Sequence, residues 1–180
     1  MNMKNVVLMI SLAAVPFLAQ SQNGKVLKPQ DITESALIDA LAPPTEMKTR
    51  SIRVMADSPP GGAATAQASA ALLITFETNS ANLTQRAKQS LDVVGKALSS
   101  ERLAPFRFAI EGHADPRGAP DANLHLSQAR AESVRQYLVK STHVENGRLD
   151  AVGKGDRELI NKANPIAPEN RRVTIVNLAQ

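Results

Sequence analysis

From residue 72 onward the chain runs in two rhythms of apolar positions. Leu72, Ile74 and Phe76 alternate with smaller or polar neighbours, the period of a strand with one buried face. Residues 79–83 read as a turn. Ala87, Leu91, Val94 and Leu98 then recur at spacings of four, three and four, which is one stripe of a helix, and Thr84 is placed to cap it. Phe106, Phe108 and Ile110 share one face of a second strand that ends at Gly112. A loop rich in Pro and Gly, Asp115-Pro116-Arg117-Gly118-Ala119-Pro120, leads into a long helix over residues 121–140. Residues 149–153 predict a third strand. A polar loop with Pro165 and Pro168 precedes a last strand over residues 173–177. Strands that alternate with helices imply crossover connections. The expected class is an α/β (α+β) two-layer sandwich, a small mixed sheet with helices on one face.

Upstream of residue 71 the rhythm changes. Residues 31–41 carry one short helical signal. Asp31 can cap it, Glu34 follows three residues later as in a capping box, and Pro43-Pro44 stops it. Ile32, Ala36, Leu37, Ala40 and Leu41 form its apolar face. Beyond it Ser58-Pro59-Pro60-Gly61-Gly62 and a run of Ala and small polar residues to Ala70 cannot bury a core. At the start, Lys4, an apolar run over residues 6–15 and then Ala19-Gln20-Ser21 describe a secretory signal cleaved after Ser21. The run falls short of the roughly 20 apolar residues of a transmembrane helix, and an uncleaved membrane anchor is the alternative. The expected organisation is a signal peptide over residues 1–21 and a flexible segment over 22–70 that includes the 31–41 helix and the Pro/Gly/Ala linker. A folded domain over 71–180 completes it.

Composition narrows the chemistry. The chain has no cysteine, which excludes disulfides, thiol nucleophiles and Cys-ligated metals. Aromatics are 3% of the chain, with no Trp and Tyr137 as the single Tyr, too few for a stacking platform. The net charge of +4 comes from dispersed basic residues, which suits an anionic polymer or an ordinary surface rather than nucleic acid. No cofactor motif is present.

The long helix carries an anomaly. On a wheel of 100° per residue, Leu124, Ala131, Val134, Tyr137 and Leu138 fall in one stripe that should meet the sheet. Asn123, Ser127 and Arg130 fall in the same stripe and stack on one line. Gln128, Glu132 and Arg135 sit opposite, as a solvated face. Polar groups turned inward cost about 1–3 kcal/mol each unless paired. They either satisfy one another or line a cleft. Asp115, just before the helix, is the nearest partner for Arg130. The two can form a plain salt bridge, or hold the two ends of a zwitterion between them.

The sequence Gly112-His113-Ala114-Asp115, with Asn123-Leu124-His125-Leu126-Ser127-Gln128-Ala129-Arg130-Ala131, resembles the signature of OmpA-like domains. Ile74-Thr75-Phe76, Val152-Gly153-Lys154-Gly155 and Asn170-Arg171-Arg172-Val173 resemble its flanking segments, in the same order. The resemblance implies a βαβαβ-type fold and non-covalent, non-catalytic binding of peptidoglycan through the diaminopimelate of its stem peptide. It further implies a periplasmic, cell-wall or outer-membrane-associated protein of a Gram-negative envelope. By position, Asp115 would hold the ligand's ammonium and Arg130 its carboxylate. Asn123 would bond ligand or loop, and Arg171 would close the far side. His113 and Arg172 would be structural. The family's usual Ser/Thr is Ala114 here, whose backbone N–H could still serve, and Leu159 stands near the place of a usual Pro. The 31–41 helix is expected to dock in trans on an envelope protein, or else to pack on its own domain. Two rivals remain: a metalloenzyme built on Glu111, His113 and Asp115 with His125, and an interaction module that keeps the fold without wall binding.

Overall fold

The long-period segments become helices, and the short-period segments become strands except at Ile74 and Phe76. A computed structural model of the chain describes residues 26–43, 67–77 and 79–178. The expected signal peptide, residues 1–21, and most of the expected linker lie outside these residues. Helix α1 spans Glu34–Leu41, strand β1 Ser69–Leu72, α2 Gln85–Leu98, β2 Phe108–His113, α3 Pro120–Thr142, β3 Leu149–Gly155 and β4 Val173–Asn177. The sheet order is β1-β4-β2-β3. Strand β4 is antiparallel to both of its neighbours, and β2 is parallel to β3, so the sheet is mixed. The parallel pair is joined through α3, the crossover that the alternation of elements predicts.

The first strand differs from its expected place. It pairs with β4 only from Ser69 to Leu72, where Leu72 faces Val173. Beyond it β4 offers no further partner. Leu73 donates its N–H to Leu27 O at 2.9 Å instead, and Phe76 pairs with Leu83 in an isolated bridge. The alternation of Ile74 and Phe76 therefore serves packing rather than a ladder.

Helix α1 is capped by Thr33, whose hydroxyl accepts from Ala36 N at 3.3 Å, while Asp31 lies in a short 3-10 turn. Its apolar face does not wait for a partner protein. Leu37 and Leu41 are fully buried in one cluster with Leu91, Leu98 and Ile175. Asn177 Nδ2 donates to Leu41 O at 2.8 Å. Each buried leucine contributes roughly 1.5–3 kcal/mol, which an eight-residue helix needs to persist. The expectation of docking in trans is corrected: this helix closes its own domain's core.

Helix α3 lies very close to the sheet. A Cβ on Gly112 would collide with the carbonyl oxygen of Ser127, and one on Gly153 would sit 2.7 Å from Gln128 N. The face expected to be solvated does other work. Gln128 donates to Ala151 O at 3.1 Å and accepts from Gly153 N at 2.6 Å, and Arg135 donates to Leu149 O at 2.9 Å. These side chains satisfy the free edge of β3, which would otherwise expose unpaired backbone.

Candidate functional site

Strand β2 runs out into the loop that carries Asp115. Its register with β3 shifts between Gly112 and His113. Ala114 is buried and donates its N–H to Gly155 O at 2.8 Å. That N–H is therefore committed to the fold, and the expectation that it serves a ligand is corrected.

Asp115 is 5% exposed and fully engaged. Its Oδ1 accepts from Arg117 N at 3.2 Å and Arg117 Nε at 3.0 Å; its Oδ2 accepts from Arg117 Nη2 and Arg171 Nη1, both at 2.7 Å. The Arg117 hydrogen bonds, against the opposing effect of burial and with help from Arg171, hold its pKa at about 2. Asp115 makes no salt bridge with Arg130, so that simple pairing does not form.

The inward polar residues of α3 divide by role. Asn123 is buried and donates to Asp115 O and to Asp156 Oδ2, both at 3.2 Å, so it braces the loop. Ser127 donates to Leu124 O at 2.8 Å and accepts from Gly155 N at 2.9 Å, which ties α3 to the end of β3. Arg130 is different. Its Nε donates to Ser80 O at 3.0 Å, and its guanidinium lies 5.0 Å from the centroid of the Phe76 ring. Burial, followed by the nearby Arg171, lowers its pKa from the ordinary arginine value, and Asp115 partly offsets this.

Arg130, Arg171 and Arg172 line one cavity of about 260 Å³ together with Phe76, Ile74, His113 and Pro168. Among the described residues, no acidic side chain lines it. Arg171 joins this cavity to Asp115 and also donates to Ile166 O at 3.3 Å. Arg172 is 8% exposed; its Nη2 donates to Glu158 O at 3.1 Å, while its Nε and Nη1 have no partner. Buried donors without acceptors are costly, and these two nitrogens are closed off from solvent. The residue expected to be structural thus faces the cavity. His113 is buried in the cavity wall, 3.3 Å from Thr174 Oγ1, with Nδ1 unpartnered. Burial first, then Arg172 and Lys154, pushes its pKa down to about 3, so it is neutral near pH 7.

The far wall rests on a residue that the sequence reading gave no role. Asn170 is fully buried. Its Oδ1 accepts from Ile160 N and Asn161 N, both at 2.9 Å, and its Nδ2 donates to Asn161 O, Asn164 O and Pro165 O at 3.1, 3.1 and 2.8 Å. This fixes the polar loop and, with it, Arg171. A buried-network role is legible in an Asn that ends a Pro-rich loop, but only weakly. Arg117 had a local signal, two residues after Asp115 in a turn.

The metal grouping takes another form than expected. Glu111 and His113 gather with Glu158, their ligand atoms within 4.8 Å of one another, and without Asp115 or His125. Lys154 Nζ stands 3.2 Å from Glu111 Oε1 and 3.1 Å from Glu158 Oε1. Its ammonium already supplies the positive charge that these carboxylates attract.

Comparison with known proteins identifies the family and the fold. Over 93 residues the chain is 39% identical to "Outer membrane protein A" of Yersinia pseudotuberculosis, which covers 52% of this chain and 24% of that protein. It is 33% identical over 110 residues to the "Peptidoglycan-associated lipoprotein" of Pseudomonas aeruginosa, covering 56% of this chain and 58% of the other. The chain thus spans less than two thirds of the length of these relatives. The OmpA-like domain of FopA1 from Francisella tularensis matches with a TM-score of 0.52 at 18% identity, over 60% of this chain and 70% of that one, which shows the shared fold. Residues 75–172, more than half of the 180-residue chain, match the model of the OmpA family, and the chain belongs to that family.

Proposed function

We propose that this domain binds peptidoglycan without chemistry, by gripping the free amino-acid end of diaminopimelate in the stem peptide. The observation that carries this reading is the cavity lined by Arg130, Arg171 and Arg172, joined through Arg171 to the carboxylate of Asp115. A ligand carboxylate entering there meets guanidinium donors in a partly dry site, where charge-assisted bonds are strong. The ammonium on the same carbon then turns to Asp115. A zwitterion satisfies both sides, and a neutral sugar satisfies neither.

The site is poorly equipped for catalysis. Asp115, held at about 2, stays a carboxylate and is a weak base. His113, at about 3, is a weak base as well and is buried. The reading is therefore a tether to the cell wall, acting from the periplasm after secretion. Among the described residues no helix is long and apolar enough to cross a membrane.

The test is co-sedimentation with purified sacculi. Wild-type protein is expected in the pellet and no soluble fragments in the supernatant. Arg130→Ala is expected to remain folded and soluble in the supernatant. Wild type that stays in solution would leave an interaction module that has kept the fold. Fragments released by pure protein would make it an enzyme.

A further inference from the structure

We propose that Arg117 is a latch on Asp115, which must let go before an ammonium can bind; this rests on the reading of the site given above. An ionised carboxylate has about four lone-pair positions. At Asp115 all of them are taken: Arg117 N and Nε on Oδ1, Arg117 Nη2 and Arg171 Nη1 on Oδ2, at 3.2, 3.0, 2.7 and 2.7 Å. The carboxylate is also only 5% exposed, so nothing approaches it from open solvent. A ligand ammonium must therefore replace a donor already present.

The structure points to which donor leaves. The Arg117 backbone N–H is fixed by the loop. Arg171 follows Asn170, whose side chain makes five hydrogen bonds, and it also donates to Ile166 O and lines the cavity. The Arg117 side chain is 61% exposed, and among the described residues its polar contacts are all to Asp115. It is followed by Gly118 at φ +97°, a backbone position suited to glycine. Its guanidinium can swing into water and be solvated there at little cost. The exchange is one positive charge for another, so the buried carboxylate is never left bare. In the empty site Arg117 supplies the counter-charge; in the filled site the ligand does.

A latch lowers apparent affinity by the fraction of time it is closed. It also acts only on ligands that bring an ammonium. Calorimetry with free meso-diaminopimelate and with pimelate, the same dicarboxylate without its amino groups, separates the possibilities. The full chain is compared with Arg117→Ala and Arg117→Gln, each first shown to melt like wild type. Both variants are expected to bind diaminopimelate about two- to ten-fold more tightly, the scale of losing an exposed ion pair as competitor. Pimelate affinity is expected to stay level or fall, because a nearby positive charge has gone. The Asp115 pKa is expected to rise from about 2 toward its ordinary value in the variants. Unchanged or weaker binding of diaminopimelate in both variants would overturn the latch, and weaker binding would make Arg117 a ligand contact. Equal tightening for pimelate would also overturn it, as mere opening of the loop. If wild type and variants all fail to bind diaminopimelate, the reading of the site fails first and the latch falls with it.

Discussion

The two sides of the site carry opposite deficits. Asp115 receives four donors and has no acceptor position to spare. Across Arg171, Arg172 keeps two buried donors without acceptors, and among the described residues Arg130 engages a single backbone carbonyl. The acidic side is saturated by the protein itself, while the basic side is left wanting. A ligand carboxylate therefore makes new bonds, whereas a ligand ammonium exchanges old ones. The basic side should supply most of the affinity, and the acidic side should supply selection for a zwitterion.

That asymmetry can be broken in order of expected effect. Arg130→Ala removes a half-buried guanidinium from the open side and is expected to cost about 2–5 kcal/mol of sacculus binding. Asp115→Ala, where the ligand's gain is offset by the bonds it displaces, is expected to cost about 1–2 kcal/mol. Co-sedimentation over a range of protein concentrations ranks the two, and a larger loss for Asp115→Ala would reverse the comparison.

A second effect comes from His113 in the cavity wall. Its folded pKa of about 3 lies below the ordinary 6.5. Between these values the unfolded chain binds a proton that the native state refuses, so stability is complete above pH 6.5 and falls as pH drops toward 3. Urea unfolding at pH 7 and pH 5 is expected to differ by about 2 kcal/mol from this group alone. His113→Gln should show a shallower slope; an unchanged slope would place the proton elsewhere.

The smallest effect on stability is expected at Arg172. Its unmet donors make it a poor brace, and Arg172→Met should change stability by no more than about 1 kcal/mol. Pimelate binding measured by calorimetry should nonetheless weaken. A large loss of stability with binding intact would return Arg172 to the structural role that the sequence alone suggested.

The secondary structure was largely legible because it depends on local period. The stripe at Ala87, Leu91, Val94 and Leu98 and the cap at Thr84 recur in the structure, with Thr84 Oγ1 accepting from Ala87 N at 3.2 Å. The last strand runs from Val173 to Asn177, as its β-branched residues indicate. The first strand was misplaced because its length is set by where β4 begins, at Val173, some hundred residues away. Gln128 and Arg135 looked solvated on a wheel, yet a wheel does not contain the edge of β3 that they cover.

For the site, the sequence determined the cast. The motif around Asp115 and the inward line of Asn123, Ser127 and Arg130 follow from residue order and helical spacing alone. The tertiary structure decided the roles. It turned Asn123 and Ser127 to the loop and strand, committed the N–H of Ala114 to Gly155, and set Arg172 on the cavity rather than behind it. It brought Arg171 to Asp115 across 56 residues of chain. The physical reason is the range of each effect. Periodicity and capping act within a turn or two of backbone, so a sequence displays them. Whether a polar group is satisfied depends on every donor and acceptor within about 3 Å, and those arrive from segments that only the folded chain brings together.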